Sequence, residues 1–127
     1  MAELTTEDGF QYSFAPGAVV AVTNHDAVSG KAATFVYGIA PAPLEIGETM
    51  DGFLARIGVA ADFVRLTRPD GSPIWVCGAA VASLRAPLPG EYADGVRAVI
   101  TVGGLTQGVD EDVAAVKAAI DAHGGRL

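Results

Sequence analysis

The sequence predicts an α+β fold made of two duplicated units, each an antiparallel β meander of about four strands followed by one α-helix, packed together as one pseudo-symmetric domain. Three observations carry that expectation. Apolar residues recur at period two in several short runs, the period switches to that of a helix near Met50 and again near Val113, and the two halves of the chain partly match each other.

The length of 127 residues suits one domain over 1–127, because separate units of roughly 60 residues bury apolar surface poorly. The internal repeats are expected at 10–58 and 63–123. Hydrophobic residues make up 50% of the chain and charged ones 18%, yet no uninterrupted apolar run reaches the roughly 20 residues of a membrane-spanning helix, so no membrane partner is expected. Met1 to Gly9 carries Glu3, Glu7 and Asp8 instead of a basic stretch before an apolar core, so no secretory signal is read and a cytoplasmic location is expected. Cys77 stands alone, which excludes an intrachain disulfide. With two distant histidines there is little to hold a transition metal, and no metal or other cofactor is expected.

The net charge of −7 is uneven. Residues 1–61 hold two basic side chains (Lys31, Arg56) against seven acidic ones, giving −5, and residues 62–127 hold six against eight, giving −2. An acidic chain repels phosphate backbones, so nucleic-acid binding would have to be local and on the second half.

In chain order, Met1 to Gly9 reads as a polar, frayed terminus. Phe10-Gln11-Tyr12-Ser13-Phe14 alternates ring and polar residue and reads as a strand, stopped by Pro16-Gly17. Ala18 to Thr23 is a second strand and Asn24 to Gly30 a turn. Ala32 to Ile39 is a third, with Phe35, Tyr37 and Ile39 expected on one face, and Leu44 to Ile46 follows two prolines as a short edge strand. From Glu48 to Ile57, Met50, Phe53, Leu54 and Ile57 form a helical stripe closed by Gly58. The pattern restarts with a strand at Phe63 to Arg68, the turn Pro69-Asp70-Gly71-Ser72 and a partner strand at Pro73 to Cys77. A kink at Gly78 precedes Ala79 to Arg85, and Pro87 to Gly95 is the longest loop. Val96 to Val102 and Leu105 to Val109 are strands. Asp110 is the expected N-cap of a last helix whose stripe is Val113, Val116 and Ile120 and which Gly124-Gly125 end.

Set side by side, Ala18-Val19-Val20-Ala21 matches Ala79-Ala80-Val81-Ala82, Gly30 to Gly38 matches Gly95 to Gly103, and Met50 and Ile57 match Val113 and Ile120. Each half alone is too small to close a core.

The stretch Phe63-Val64-Arg65-Leu66-Thr67-Arg68-Pro69-Asp70-Gly71-Ser72-Pro73-Ile74-Trp75-Val76 resembles the FlbD-like small flagellar proteins. The resemblance runs over roughly Phe63 to Ile120 and rests on the Leu66-Thr67 to Gly71 hairpin. It implies a leucine-threonine strand, an Asp-Gly turn, a second strand, further strands and a final helix. The family usually has asparagine where Cys77 stands, and here the whole unit is doubled. The layout of the full chain also resembles the Whirly, PC4 and Pur-type single-stranded nucleic-acid binders, which implies a sheet face as a second kind of site.

Few residues suggest catalysis. His25 and Asp26, beside Ser29 and Gly30, could be a base and its orienting carboxylate, but all are ordinary turn formers. His123 suits the negative end of a helix dipole, and Cys77, in apolar company, suits the core. Gly103-Gly104 and Gly108 before Asp110 fit no phosphate-loop spacing and face three acids, so they read as a corner. Glu45, Glu48 and Asp51, like Asp110, Glu111 and Asp112, lack the oxygen-ligand loop calcium needs. One constellation stands out: Arg65, Trp75, Arg85 and Arg97, each on its own expected strand. On one sheet face they would form a strip able to stack on and neutralise single-stranded nucleic acid. The plainer alternative is solvated arginines and a core tryptophan. The expected function is a non-catalytic protein-binding or assembly module acting as a homo-oligomer or with another protein. Single-stranded nucleic-acid binding through Arg65, Trp75, Arg85 and Arg97 is the alternative, and no enzyme is expected.

Overall fold

A computed structural model describes residues 1–26, 32–92 and 95–127. The first half runs β1 (Ala2–Thr5), β2 (Gln11–Phe14), a 3₁₀ turn (Pro16–Ala18), β3 (Ala21–Asp26), β4 (Ala32–Tyr37), β5 (Leu44–Ile46) and α1 (Met50–Arg56). After a 3₁₀ turn at Ala60–Asp62 the same order recurs: β6 (Phe63–Thr67), β7 (Pro73–Cys77), a 3₁₀ turn (Gly78–Ala80), β8 (Val81–Arg85), β9 (Ala98–Val102), β10 (Leu105–Val109) and α2 (Val113–Asp121). The fold is α+β, with antiparallel pairing throughout these strands.

The two hairpins share one register. Ala2 lies opposite Phe14 and Thr5 opposite Gln11; Val64 lies opposite Val76 and Thr67 opposite Pro73. Their turns agree as well. Thr6 N–H donates to Phe10 O and Arg68 N–H to Ser72 O, both at 2.8 Å, and Gly9 and Gly71 occupy the left-handed region at φ 88° and 86°. Only glycine enters that region without strain, which fixes both turns at the same point. The two helices are capped alike: the Thr49 side chain accepts from Gly52 N–H and the Asp112 side chain from Ala115 N–H.

The hairpins are used differently. β6–β7 joins the first half's strands in a five-stranded sheet of order β5-β4-β3-β7-β6, whereas β1–β2 forms a two-stranded sheet and β10-β9-β8 a three-stranded one. The seam between the halves is the β3–β7 ladder, in which Ala21, Val22 and Thr23 face Val76, Trp75 and Ile74. Since neighbouring residues on a strand point to opposite faces, the five-stranded sheet serves two clusters. Val22, Val36, Leu44 and Phe63 pack with Leu4, Phe14, Phe53 and Leu54 from the first hairpin and α1. Ala21, Val64, Leu66, Ile74 and Val76 pack with Ala98, Ile100, Val102, Val109, Val116 and Ile120 from the three-stranded sheet and α2.

The helical stripes fall as their spacing predicts, with Phe53, Leu54, Val116 and Ile120 at 1% exposure or less. Five sequence expectations change. Asn24 to Asp26, expected in a turn, continue β3, because the antiparallel pairing with β4 runs on to Ala32. Ala2–Thr5 is no frayed tail, because Leu4 is buried and the stretch pairs with β2. The strand expected from Ala18 starts at Ala21, since Pro16 opens a 3₁₀ turn; Gly78 opens the counterpart. The face of β4 that is fully buried is Thr34 and Val36, with Phe35 and Tyr37 half-buried, because this strand lies inside a sheet covered on both sides. The last helix is capped by Asp112, not Asp110, whose N–H instead donates to Thr67 O. The side chains of His25 and Asp26, and residues Ser29 and Gly30, lie outside the described residues.

Candidate functional site

The four singled-out residues divide between two sheets. Arg65 on β6 and Trp75 on β7 lie directly opposite each other. Such pairs place their Cβ atoms roughly 4.5–5.5 Å apart on one face. The row continues across the sheet, Trp75 opposite Val22, Val22 opposite Val36 and Val36 opposite Leu44. Trp75 is half-buried against the first cluster, while Arg65 at the end of the row is exposed. The sequence places an arginine and an indole side by side here because two β-rich strands are joined by an Asp-Gly turn of fixed register.

Arg85 stands in the three-stranded sheet, opposite Val99. Ala98, Ile100 and Val102 point into the second cluster, so Val99 and Arg85 point away from it. Its guanidinium grips Glu91 with two hydrogen bonds of 2.6 Å, and Leu88 N–H adds a third contact to that carboxylate at 3.0 Å. The hydrogen bonds from Arg85, and then from Leu88, pull the Glu91 carboxyl down to about 2. Arg97 lies just ahead of β9, exposed, with its N–H donating to Val109 O at 2.9 Å. The arrangement therefore joins Arg65 with Trp75 and sets Arg85 on a different sheet, committed to a carboxylate, with Arg97 just ahead of that sheet's strand β9.

Of the other sequence candidates, the structure places Gly103, Gly104, His123 and Cys77. Gly103 and Gly104 are the two-residue turn between β9 and β10, Gly103 having φ 57°. His123 Nδ1 lies 2.7 Å from Ala119 O at the end of α2. Cys77 is half-buried against the first cluster. Among the described residues no group of three or more His, Cys, Asp or Glu side chains is placed to hold a metal ion, and no helix is long and apolar enough to cross a membrane.

Two polar contacts had no local signal in the sequence. Glu111 reaches Thr67 across 44 positions, its carboxylate accepting from Thr67 N–H and Thr67 Oγ1, each at 2.9 Å. Arg68, only 6% exposed, donates from Nη2 to Asn24 O. Both tie the β6–β7 turn to elements that periodicity reads separately. Between the halves, Val20, Tyr37, Pro43, Val102, Gly103 and Leu105 line an apolar cleft of about 480 Å³. No family model, curated protein or solved structure matches the chain.

Proposed function

We propose that the chain is a non-catalytic protein-binding and assembly module that works as a homo-oligomer, and that its halves are duplicated copies of one strand-meander-plus-helix unit. What supports the duplication is the shared order of elements, the shared hairpin register and the paired turns and caps. The order hairpin, further strands, helix over Phe63–Asp121 is also the one that the likeness to FlbD-like small flagellar proteins implies for the second half. The observation that carries the assembly reading is the β3–β7 ladder: two units of like build associate by pairing strand edges. Light scattering across concentration tests it, and a mass that rises with concentration is the expected result.

A second reading has one observation in its favour. Arg65 and Trp75 share a sheet face, an exposed cation beside a half-buried ring, which suits stacking on a single-stranded nucleic acid. Binding of labelled single strands at rising salt tests this, comparing the parent chain with Arg65→Glu. Salt-insensitive or absent binding by the parent chain excludes it.

A further inference from the structure

In the duplicated-unit correspondence, a constant spacing carries Ala2 to Val64, Phe14 to Val76 and the 3₁₀ turn Pro16–Ala18 to Gly78–Ala80. It therefore carries β2 to β7, and Ala21-Val22-Thr23 of β3 to Ser83-Leu84-Arg85 of β8. Were the β3–β7 seam a self-complementary, two-fold contact, its mirror would be a β8–β2 ladder in the same chain. Among the described residues no such ladder forms: β2 pairs there with β1 alone and β8 with β9 alone. The seam is thus heterologous, and it leaves one copy of each of its edges, β2 and β8, outside it. Repeated between chains, a heterologous contact builds rings where the rotation closes and open filaments where it does not.

We propose that the edge of β8 binds the edge of β2 of a second copy of this chain, repeating the β3–β7 ladder head to tail. This rests on the assembly reading above and adds which surfaces meet and in what register. Ala21 opposite Val76, Val22 opposite Trp75 and Thr23 opposite Ile74 become Ser83 opposite Phe14, Leu84 opposite Ser13 and Arg85 opposite Tyr12 of the second copy. The Cys77 N–H to Val20 O bond of 2.9 Å becomes Ala15 N–H of the second copy to Ala82 O.

The edges suit the match. Neither strand contains proline, so each keeps its ladder donors, and Gln11, Ser13, Ala82, Ser83 and Arg85 are exposed. Tyr12 and Leu84, half-buried in the single chain, gain cover from the partner strand. Charge favours this polarity over head-to-head pairing, since a first half at −5 meets a second half at −2 and not another at −5.

Disulfide trapping tests the register. In a Cys77→Ser background, Ser13→Cys with Leu84→Cys, and separately Ala15→Cys with Ala82→Cys, place thiols on strands that the proposal sets directly opposite. The second pair substitutes two exposed alanines and so leaves the fold undisturbed. Mild oxidation of either doubly substituted chain is expected to give a ladder of dimers, trimers and larger species. Mixing two singly substituted chains, one bearing Ala15→Cys and the other Ala82→Cys, should stop at a dimer of one of each. A cross-link confined to one chain would overturn the proposal, because the two edges would then close on each other. Equal trapping of Ala15→Cys with itself would overturn it too, since the contact would be two-fold. An oligomeric parent chain that traps neither pair refutes the edge assignment and leaves assembly standing. A parent chain that stays monomeric refutes assembly itself.

Discussion

Glu111 holds Thr67 with both carboxylate oxygens, one on the backbone N–H and one on the hydroxyl, while the neighbouring Asp110 N–H donates to Thr67 O. The end of β6 is thereby fastened to the entry of α2, so the second hairpin and the last helix come as one piece. Replacing Glu111 with alanine leaves a part-buried N–H and hydroxyl without these acceptors. A loss of about 1–3 kcal/mol is expected, read as a lower urea midpoint at unchanged slope. Glu111→Gln, which keeps one acceptor, should lose less.

Gly38 ends β4 at φ 114°, and a Cβ there would run into Ala18 O, a backbone atom that cannot swing aside. Strain and overlap act together, so Gly38→Ala should cost at least about 2 kcal/mol. Gly58, also at positive φ but with open space around it, is the control. Gly58→Ala should cost less, about 1 kcal/mol. Thermal unfolding of both variants measures the difference.

Thr23 is 1% exposed at the end of the seam ladder, and among the described residues its Oγ1 has no hydrogen-bond partner. Valine has the same shape without the hydroxyl. Thr23→Val should raise stability by about 1 kcal/mol, because an unsatisfied buried polar group is removed at no loss of packing. Chemical denaturation that shows a loss instead would mean the hydroxyl is satisfied in solution.

The Glu91 carboxyl, held at about 2 by Arg85 and Leu88 N–H, lies below its ordinary range in the folded chain. Its pairing therefore contributes stability above the ordinary carboxylate range, and that contribution is lost as pH falls toward 2. Carboxyl chemical shifts followed by NMR should give a Glu91 midpoint near 2 in the parent and a value back toward the ordinary range in Arg85→Ala. The pair is solvent-accessible, so high salt should also raise the midpoint.

Element type was legible where one face of a strand or helix is buried and the other is not. The stripes Phe53, Leu54 and Ile57, and Val116 and Ile120, could be read from spacing alone. β1 was missed because Ala2–Thr5 presents one deeply buried residue, Leu4, among polar neighbours, and its partner strand supplies the rest. The buried face of β4 was misread because a strand covered on both sides has no clean period. Of the candidate site, the Arg65–Trp75 neighbourhood followed from one turn. The separation of Arg85 and Arg97 depends on which strands pair, and pairing between distant strands leaves no mark on local sequence.

In the proposed assembly, strand edges pair inside the chain at β3–β7 and between chains at β8–β2. Sedimentation velocity of the unmodified full chain, from low micromolar to near millimolar concentration, addresses it most directly. Open head-to-tail association requires sedimentation coefficients that grow steadily with concentration. A single monomer boundary over the whole range would contradict it.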